Sequence, residues 1–356
     1  MSIGDGANYA PSGESRPVVA AGEFNFAAAF LDHGHINGMV QGLLEAGGTL
    51  TGVYDTDPAR VQAFTDRFGA VTIFEGYPAL LDDPAIQLVA AAAIPNQRAD
   101  VGIQAMRAGK HYFTDKTPMT TLAQLTQEQA AVRETSKRFF VYFAERLHNE
   151  AAWHAGELIA AGAIGQVLQV LNLGPHRLSA ASRPDWFFDK AQYGGIITDI
   201  GSHQVEQFLT YAGCGDAEVN FARVNNFNNP EHPQLEDFGE FSLRGDNGAS
   251  FYSRVDWFTP QGMPVWGDGR TFILGTNGTL ELRKYVDLDR QAPASLILAA
   301  DQSAVQSIDC LNRVGFPFFG QMILDVLEST ERAMTQAHIF KATELSLRAQ
   351  QVAEQK

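Results

Sequence analysis

The most constraining feature of this sequence is the alternation of short apolar runs with amphipathic segments between residues 24 and 145. Phe24–Leu31 and Leu88–Ile94 are short, mostly apolar and followed by polar turns, as expected of strands buried on both faces. Ile36–Ala46 has apolar residues at helical spacing and stops at two glycines, Gly47 and Gly48. Strands and helices that alternate with short connections predict a doubly wound parallel sheet, a Rossmann α/β domain.

The other elements of this half are equally short. Further strands are predicted over Thr49–Tyr54, Val71–Phe74, His111–Thr114 and Phe139–Phe143, and further helices over Pro58–Phe68, Tyr77–Leu81 and Leu122–Ser136. Ligands bind to such sheets at the carboxyl ends of the strands. The residues that directly follow each strand are therefore the candidates for function.

After Glu145 the pattern changes to one of consecutive strands. A helix over Asn149–Ala161, a strand over Gln166–Leu173 and a helix within Gly194–Leu209 come first. Strand-like segments then follow one another at Glu218–Phe227, Phe238–Leu243, Ala249–Trp257, Thr271–Leu274, Leu280–Lys284 and Ser295–Leu298, before two closing helices at Phe318–Met334 and Ala342–Glu354. This order predicts an α+β domain with one large, mostly antiparallel sheet and helices on one face.

Three regions are predicted from these patterns. Residues 1–22, rich in Gly, Ser, Ala and Pro, are expected to form a disordered tail. Residues 23–145 are expected to form the dinucleotide-binding Rossmann domain, and residues 146–356 the α+β substrate domain.

Composition narrows the partners and the compartment. The formal net charge is 26 − 41 = −15 and no run of Lys or Arg occurs, which argues against nucleic acid and anionic membranes as partners. The apolar stretches are shorter than the ~20 residues of a membrane helix, and residues 1–22 lack the pattern of a signal peptide. We therefore expect a cytoplasmic protein.

The first predicted turn carries a reduced form of the glycine fingerprint for dinucleotides. In Asp32-His33-Gly34-His35-Ile36-Asn37 only Gly34 matches, as the middle glycine of G-x-G-x-x-G. Asp55 follows the second strand, 21 positions after Gly34, near the spacing of an acid that binds ribose hydroxyls. A carboxylate there repels a 2′-phosphate, so NAD is favoured over NADP, although Arg60 nearby would weaken that preference.

His33 and His35 leave three interpretations open. They can cap the following helix, they can donate hydrogen bonds to a pyrophosphate at its N-terminus, or they can bind a metal, since His-x-His after a first strand also occurs in metal-dependent hydrolase barrels. A barrel needs βα units throughout the chain, and residues 218–298 lack them. No metal is predicted.

Two further groups stand where chemistry is expected. Lys116, preceded by Asp115, follows the fifth predicted strand, where a lysine can stabilise charge on a substrate oxygen. Asp199 and His203 are four residues apart within one predicted helix and thus share a face. An imidazole beside a carboxylate suits proton abstraction from an alcohol, because histidine titrates near neutral pH and the acid fixes its tautomer.

Four segments together resemble the Gfo/Idh/MocA family of sugar and polyol oxidoreductases, over about residues 24–350. Ala93–Asn96 is similar to the family's T-P-N turn, and Ala161–Gly165 to its G-x-I-G motif. Ala108–His111 with the following Asp115–Pro118 is similar to its A-G-K-H and E-K-P motifs, and Gly194–His203 to its G-G-x-x-x-D-x-x-x-H helix. This chain has Asp115 in place of Glu, and Thr117 precedes Pro118, which argues against a cis-proline there.

The resemblance implies an NAD(H)- or NADP(H)-dependent enzyme that forms dimers or tetramers through the open face of its large sheet. It implies Lys116 as the E-K-P lysine, Asp199 as the acid that orients the substrate and His203 as the general base. The cofactor-binding residues would be His33, Gly34, His35, Ile36, Asp55, Pro95, Asn96, Asp115 and Lys116. The residues predicted to line the substrate pocket are Arg146, His148, His176, Trp186 and Tyr193.

The predicted function is hydride transfer between a nicotinamide cofactor and a secondary alcohol of a sugar, polyol or glycoside. Two alternatives remain at this stage: an enzyme that cleaves glycosides through transient oxidation by a tightly held NAD, and a non-catalytic dinucleotide-binding regulator. A metal-dependent hydrolase is a more remote one.

Overall fold

The computed structural model describes residues 6–13, 16–290 and 292–355. The chain divides into two compact units. The N-terminal unit comprises residues 7–142 and 317–340, and the C-terminal unit comprises Gly6, residues 143–316 and the described residues from 341 onward. The return of residues 317–340 to the first unit differs from the predicted division at 145/146. Its cause is aromatic packing, because Phe319 lies against Phe113 and Tyr142.

Parallel strands and helices alternate along the N-terminal unit, as the sequence predicts. The strands are β1 (Asn25–Ala29), β2 (Thr49–Tyr54), β3 (Thr72–Ile73), β4 (Leu88–Ala91), β5 (His111–Asp115) and β6 (Phe139–Tyr142). The helices are α1 (Ile36–Glu45), α2 (Pro58–Phe68), α3 (Tyr77–Leu81), α4 (Arg98–Arg107) and α5 (Leu122–Thr135). The strands form one six-stranded sheet in the order β3-β2-β1-β4-β5-β6, and every pair is parallel. The predicted doubly wound sheet is confirmed.

Local sequence explains where these helices begin and end. Asp57 caps α2 by accepting a hydrogen bond from the Ala59 amide, and Pro58 occupies the first helical position. Thr121 caps α5 in the same way, through the Gln124 amide. Gly47 follows α1 with a φ of 100°, a conformation that favours glycine. Local capping and stop signals thus account for the bounds of these helices.

The described part of the predicted tail from Ala7 onward belongs to the N-terminal unit. Residues 6–8 form a single 3-10 turn, and the Val18 amide donates a hydrogen bond to the Ala46 carbonyl at the end of α1. A side chain at Gly34 would overlap the backbone of Ala7 and the side chain of Asn8. Parts of residues 7–13 and 16–22 thus make contacts with α1 and the first turn, whereas the sequence predicts a disordered tail. The rest of that prediction, residues 1–5, 14 and 15, lies outside the described residues.

The C-terminal unit contains one large sheet and a group of short helices. The helices are α6 (Ala144–Leu147), α7 (Glu150–Ala160), α8 (Lys190–Tyr193), α9 (Ile196–Asp199) and α10 (Gly201–Ala212). The strands are β7 (Val167–Pro175), β8 (Ala217–Asn225), β9 (Phe238–Gly245), β10 (Ser250–Asp256), β11 (Arg270–Gly275), β12 (Gly278–Arg283), β13 (Val286–Asp287), β14 (Ala292–Pro293), β15 (Leu296–Asp301) and β16 (Val305–Asp309). Two helices follow, α11 (Pro317–Glu328) and α12 (Gln336–Glu354).

The large sheet has eight strands in the order β16-β15-β12-β11-β7-β10-β9-β8, and β13 pairs with β14 separately. Only the central pair of β7 and β10 is parallel, so the predicted mostly antiparallel sheet is confirmed. Helices α7 and α10 pack on one face. The opposite face carries several half-exposed apolar side chains, among them Leu168, Phe272 and Leu274. No helix in the described part of the chain has the length and apolar character needed to cross a membrane.

Candidate active site

The turn after β1 carries the features of a phosphate-binding turn. The His33 amide donates a hydrogen bond to the Ala92 carbonyl, which fixes the turn beside the end of β4. Gly34 has no room for a side chain, and α1 begins directly after it at Ile36. A cavity of about 600 Å³ lies beside this turn, lined among others by Gly34, Asn37 and Arg60. The amide groups of the first turn of a helix favour an anion at this position.

Asp55 lies at the predicted place, after β2, but its carboxylate is already engaged. It accepts hydrogen bonds from the Leu31 amide at 2.6 Å and the Asp57 amide at 2.7 Å. The Arg60 guanidinium donates to it at 2.7 Å and also lies 3.2 Å from the Asp32 carboxylate. Arg60 is thus held between acids at the side of the cavity, which reduces the positive charge that it offers to a ligand phosphate.

His33 and His35 converge on Asp115 at the end of β5. The Nδ1 atom of His35 lies 2.8 Å, and that of His33 3.2 Å, from the Asp115 carboxylate. Burial and the neighbouring charge of His35 lower the pKa of His33 to about 3, so His33 is neutral at physiological pH. His35 is the N-cap residue of α1, yet its side chain makes no capping hydrogen bond. The capping interpretation therefore does not describe His35, whose imidazole is turned to Asp115.

The same three residues have the donor types of a metal site, since their ligand atoms lie within 4.8 Å of one another. The charges around them oppose a cation, however. The Arg98 guanidinium donates to Asp115 at 3.1 Å, and the charge of Lys116 also acts on His33. Burial alone would raise the pKa of Asp115, but His35 and Arg98 hold it well below its usual range. The two nearby cations, Arg98 beside Asp115 and Lys116 acting on His33, favour an anionic ligand over a metal ion, and the absence of a metal stays a prediction.

Arg98 organises the two loops that carry the T-P-N-like and E-K-P-like motifs. Its buried guanidinium donates to the Ala93 carbonyl at 2.6 Å, to the Thr117 carbonyl at 2.9 Å and to the Lys116 carbonyl. Lys116 itself is buried, and the peptide bond between Lys116 and Thr117 is cis, one position before the one considered from the sequence. Sequence reasoning missed Arg98. The available signal was a charged residue at the start of a helix directly after a candidate ligand loop.

Asn96 offers a polar atom to a ligand on the same edge of the sheet. Its backbone carbonyl accepts a hydrogen bond from Gln124, which holds the loop. Its side-chain oxygen is buried and finds no hydrogen-bond partner among the residues that the structure describes. A buried oxygen of this kind usually has a partner in the functional state.

In the C-terminal unit the structure separates Asp199 and His203 into consecutive helices. Asp199 is the last residue of α9 and His203 lies in the first turn of α10, so the prediction of one helix is corrected. The break is the single residue Ile200, whose backbone keeps right-handed helical angles, while Gly195, with a φ of 107°, precedes α9. His203 is 2% exposed, and its ring lies against that of Phe143 at a centroid distance of 6.3 Å.

The predicted substrate residues divide into two groups. His176 shares a neighbour with His203. Its Nε2 atom is 3.9 Å from the carboxylate of Glu145, which also interacts electrostatically with His203. The others make internal contacts: Arg146 forms a buried ion pair with Glu206, His148 packs on Phe316, Tyr193 bonds the backbone at Gln234 and Glu236, and Trp186 packs on Phe187. Their assignment to substrate remains a prediction.

Comparison with known proteins identifies the family. A family model described as "Oxidoreductase family, NAD-binding Rossmann fold" matches residues 24–143, and one described as "GFO/IDH/MocA C-terminal domain" matches residues 153–281. The chain belongs to the GFO/IDH/MocA family. The resemblance inferred from four short motifs is therefore confirmed, and this GFO/IDH/MocA protein has an NAD-binding domain as its N-terminal unit.

Relatives of this GFO/IDH/MocA protein include both curated proteins and solved structures. A structure from Erwinia carotovora atroseptica, provisionally described as an oxidoreductase, is 46% identical with a TM-score of 0.90 and covers 93% of this chain and 99% of its own. Levoglucosan dehydrogenase in complex with NADH shares the fold at 18% identity, with a TM-score of 0.77 and coverage of 93% and 97%. The D-xylose dehydrogenase of Paenarthrobacter nicotinovorans is 26% identical over 150 residues, which are 41% of this chain and 38% of that protein. The chain thus matches about two fifths of the curated relatives' length.

The residues of the N-terminal unit fit an NAD molecule in its adenosine and pyrophosphate half. Gly34 leaves no space for a side chain, α1 presents its N-terminus, and Asp55 stands at the end of β2 beside the cavity. The degraded glycine fingerprint leaves two cations close to the turn, since the Arg98 guanidinium lies 3.1 Å from Asp115 and the charge of Lys116 acts on His33. The donor groups around this turn are therefore compatible with the predicted cofactor, NAD.

Proposed function

We propose that this protein is an NAD-dependent dehydrogenase or reductase that transfers hydride between the nicotinamide ring and a secondary alcohol of a sugar, polyol or glycoside. The carrying observation is His203, a buried imidazole within an ionic network at the start of α10, in a chain whose other unit is an NAD-binding domain. The motif order that this chain shares with its family supports the same assignment. Bound NAD supplies the hydride acceptor or donor.

In the oxidation direction the chain's own residues move one proton and orient one oxygen. His203 accepts the proton of the substrate hydroxyl, while the carbon-bound hydrogen leaves with its electron pair as hydride, so that alcohol and NAD⁺ give ketone, NADH and one proton. Asp199 orients the hydroxyl, and Lys116 donates to the oxygen and stabilises the charge that develops on it. Arg98 is a positioning residue for Lys116, since it binds the carbonyl of that residue.

We further propose a preference for NAD over NADP. Asp32, Asp55 and Asp57 surround Arg60, so three carboxylates compensate the guanidinium that would otherwise attract a 2′-phosphate. Sugars and cyclic polyols are the proposed substrates, in line with the names of the relatives, and the partner is a small molecule. We also propose a homodimer or homotetramer that uses the open face of the large sheet.

The function is tested by turnover of a defined panel. NADH formation is followed with NAD and, separately, NADP, in the presence of levoglucosan, D-xylose or inositol. We expect turnover with NAD for at least one substrate, and a drop in kcat of about 10²–10⁴-fold for His203→Asn, the range for loss of a general base. His154→Asn, at a partly exposed histidine paired with Glu157, is the matched control and should keep full activity.

Two results count against this proposal. Undiminished turnover of His203→Asn removes His203 from catalysis. Tight NADH binding without turnover of any panel member favours the regulator instead, provided that product analysis also finds no cleaved glycoside.

A further inference from the structure

Helix α10 buries an unusual number of polar side chains. His203, Gln204, Glu206 and Gln207 are each 2% exposed or less, in consecutive turns of one helix. An uncompensated buried polar group costs about 1–3 kcal/mol, so an apolar helix face would be the simpler way to build this core. A buried polar face is retained only where its polar groups have specific hydrogen-bond or ion-pair partners.

The partners converge on Glu145 in α6 and Lys284, which follows β12. The Lys284 ammonium donates to the Glu145 carboxylate at 2.9 Å and to the Gln207 side-chain oxygen at 2.7 Å. Gln204 donates to both oxygens of Glu145, at 3.0 and 2.9 Å. The Lys284 side chain is 0% and that of Glu145 3% exposed. Both charges are therefore fixed in position and hidden from solvent.

Two histidines lie in the neighbourhood of the same carboxylate. Gln204, the residue after His203, donates to Glu145, and the His203 ring packs on Phe143, two residues before Glu145. The Nδ1 atom of His176 lies 3.1 Å from the Gly174 carbonyl, which leaves Nε2 directed towards Glu145 at 3.9 Å. The charge of His203 acts on Glu145 more strongly than that of His176 does. Burial alone would raise the pKa of Glu145, but Lys284 and the two histidines hold it well below its usual range. Glu145 is thus an anion at neutral pH.

We propose that Glu145, paired with Lys284, is a positioning residue that stabilises the protonated form of His203. Glu145 touches neither substrate nor cofactor in this role; its charge favours the imidazolium that exists once His203 has taken a proton. The inference rests on the proposed function in one respect only, since that function identifies the substrate hydroxyl as the source of the proton. Further charged or titratable groups described in this part of the unit include Asp199 on α9, His176 after β7, Tyr211 on α10 and the pair of Arg146 and Glu206.

The proposal is tested on His203 directly, without any substrate. Histidine ring carbons are labelled with ¹³C, the His203 signal is assigned by its loss in His203→Asn, and its titration is followed by NMR with NADH present. Glu145→Gln should lower the titration midpoint by about one pH unit or more, the effect of removing an opposite charge at close range. Lys284→Met should raise the midpoint, and Glu145→Gln with Lys284→Met should give an intermediate value.

The double variant removes both buried charges together and is therefore compared with whichever single variant folds. Its His203 midpoint should lie below that of Lys284→Met, because only Glu145 differs between the two, and above that of Glu145→Gln. Glu157→Gln is the matched control: Glu157 lies 2.8 Å from His154, so this change should move the His154 titration and leave His203 unaffected. The proposal would be overturned if the His203 midpoint were the same in Glu145→Gln as in the wild-type protein, or the same in the double variant as in Lys284→Met.

A kinetic arm separates this inference from the proposed function. With NAD and the panel substrate that turns over, the acid limb of the kcat–pH profile should move with the NMR midpoint, while the KM for NAD stays constant. A moved midpoint with no turnover in the wild-type protein supports the Glu145 assignment and contradicts the dehydrogenase. If the wild-type protein turns over substrate but the Glu145 variant changes neither the pH profile nor the NMR midpoint, the result supports the dehydrogenase and contradicts the Glu145 assignment.

Discussion

Arg60 shows how one residue's surroundings decide what it offers to a ligand. In the sequence it is a cation close to the ribose-binding acid. In the fold its guanidinium lies 2.7 Å from Asp55 and 3.2 Å from Asp32, and its charge is largely compensated. The preference for NAD therefore depends on a local ion network more than on the acid alone.

Asp55→Asn should weaken that preference. Loss of the carboxylate removes the repulsion of a 2′-phosphate and releases one partner of Arg60, so the ratio of the NADPH to the NADH dissociation constant should fall about tenfold, or ~1.4 kcal/mol. Fluorescence titration measures both constants. Asp66→Asn, which removes a carboxylate from the lining of the same cavity, is the control and should leave the ratio unchanged. An unchanged ratio would show that Asp55 serves only to hold the turn through the Leu31 amide.

Glu128 is a second buried acid, and its effect is on stability. Both of its carboxylate oxygens lack a hydrogen-bond partner among the described residues. Burial, with a smaller effect of Asp100, raises its pKa well above the usual value. The folded form thus binds this proton more tightly than the unfolded chain does, and the free energy of unfolding falls as pH rises above the unfolded pKa.

Glu128→Gln removes this pH dependence. The variant should unfold at a higher temperature than the wild-type protein at pH 8, and the gap should narrow towards pH 5 by about 1.4 kcal/mol per pH unit within the titrating range. Thermal unfolding at several pH values measures it. Glu134→Gln, at an exposed ion pair with Arg107, should show no such trend. A gap that is constant with pH would mean that Glu128 is ionised in the fold.

At the scale of elements, the space around a glycine inside a helix shows how closely a neighbouring element approaches that helix. Gly42 lies in α1, and a side chain there would overlap the ring of Phe319, which brings α11 onto α1. Gly156 lies in α7, and a methyl group added there would have its nearest neighbours 4.0 Å away, on Thr210 and Tyr211. The first glycine is required by packing and the second is not.

The same substitution should therefore have opposite signs at the two positions. Gly42→Ala should destabilise the protein by about 1–3 kcal/mol through overpacking. Gly156→Ala should stabilise it by roughly 0.5–1 kcal/mol, since alanine is the better helix former. Urea unfolding of both variants gives the two values. If Gly42→Ala were neutral, the contact between α1 and α11 would be looser than described.

On the scale of the whole molecule, the open face of the large sheet is the main unpaired apolar surface that the structure describes. Phe272 and Leu274 on β11 are 41% and 45% exposed, and Leu168 on β7 is 43% exposed. Contiguous apolar surface of this kind usually marks an interface. It is the physical support for the proposed oligomer.

Leu274→Lys should disrupt that oligomer. A charge buried without a partner at the centre of an interface is costly, so the mass measured by light scattering should fall from a multiple of 38.8 kDa towards that of one chain. Phe227→Lys, at a residue that is 62% exposed but lies in the loop after β8, should leave the mass unchanged. A wild-type protein of single-chain mass would contradict the assembly outright.

The sequence by itself determined the features that depend on neighbours along the chain. The apolar runs of β1 and β4, the stop at Gly47 and the cap at Asp57 are local patterns, and they predicted the parallel sheet with its strand ends. The order of the short motifs around Asn96, Lys116 and His203 was also local, and it identified the family and the cofactor. Local spacing predicted too long a helix in two places, where Ile200 divides the expected single helix and where α11 ends at Glu328 instead of Met334.

Tertiary structure alone decided which charges meet. Glu145 and Lys284 are 139 residues apart, and no periodicity relates them. Arg98 binds the carbonyls of a loop 18 and 19 positions away because β4 and β5 are neighbours in the sheet. Residues 317–340 belong to the first unit because Phe319 fills the space left by Gly42. Such pairings depend on long-range packing, which the local pattern of a sequence does not specify.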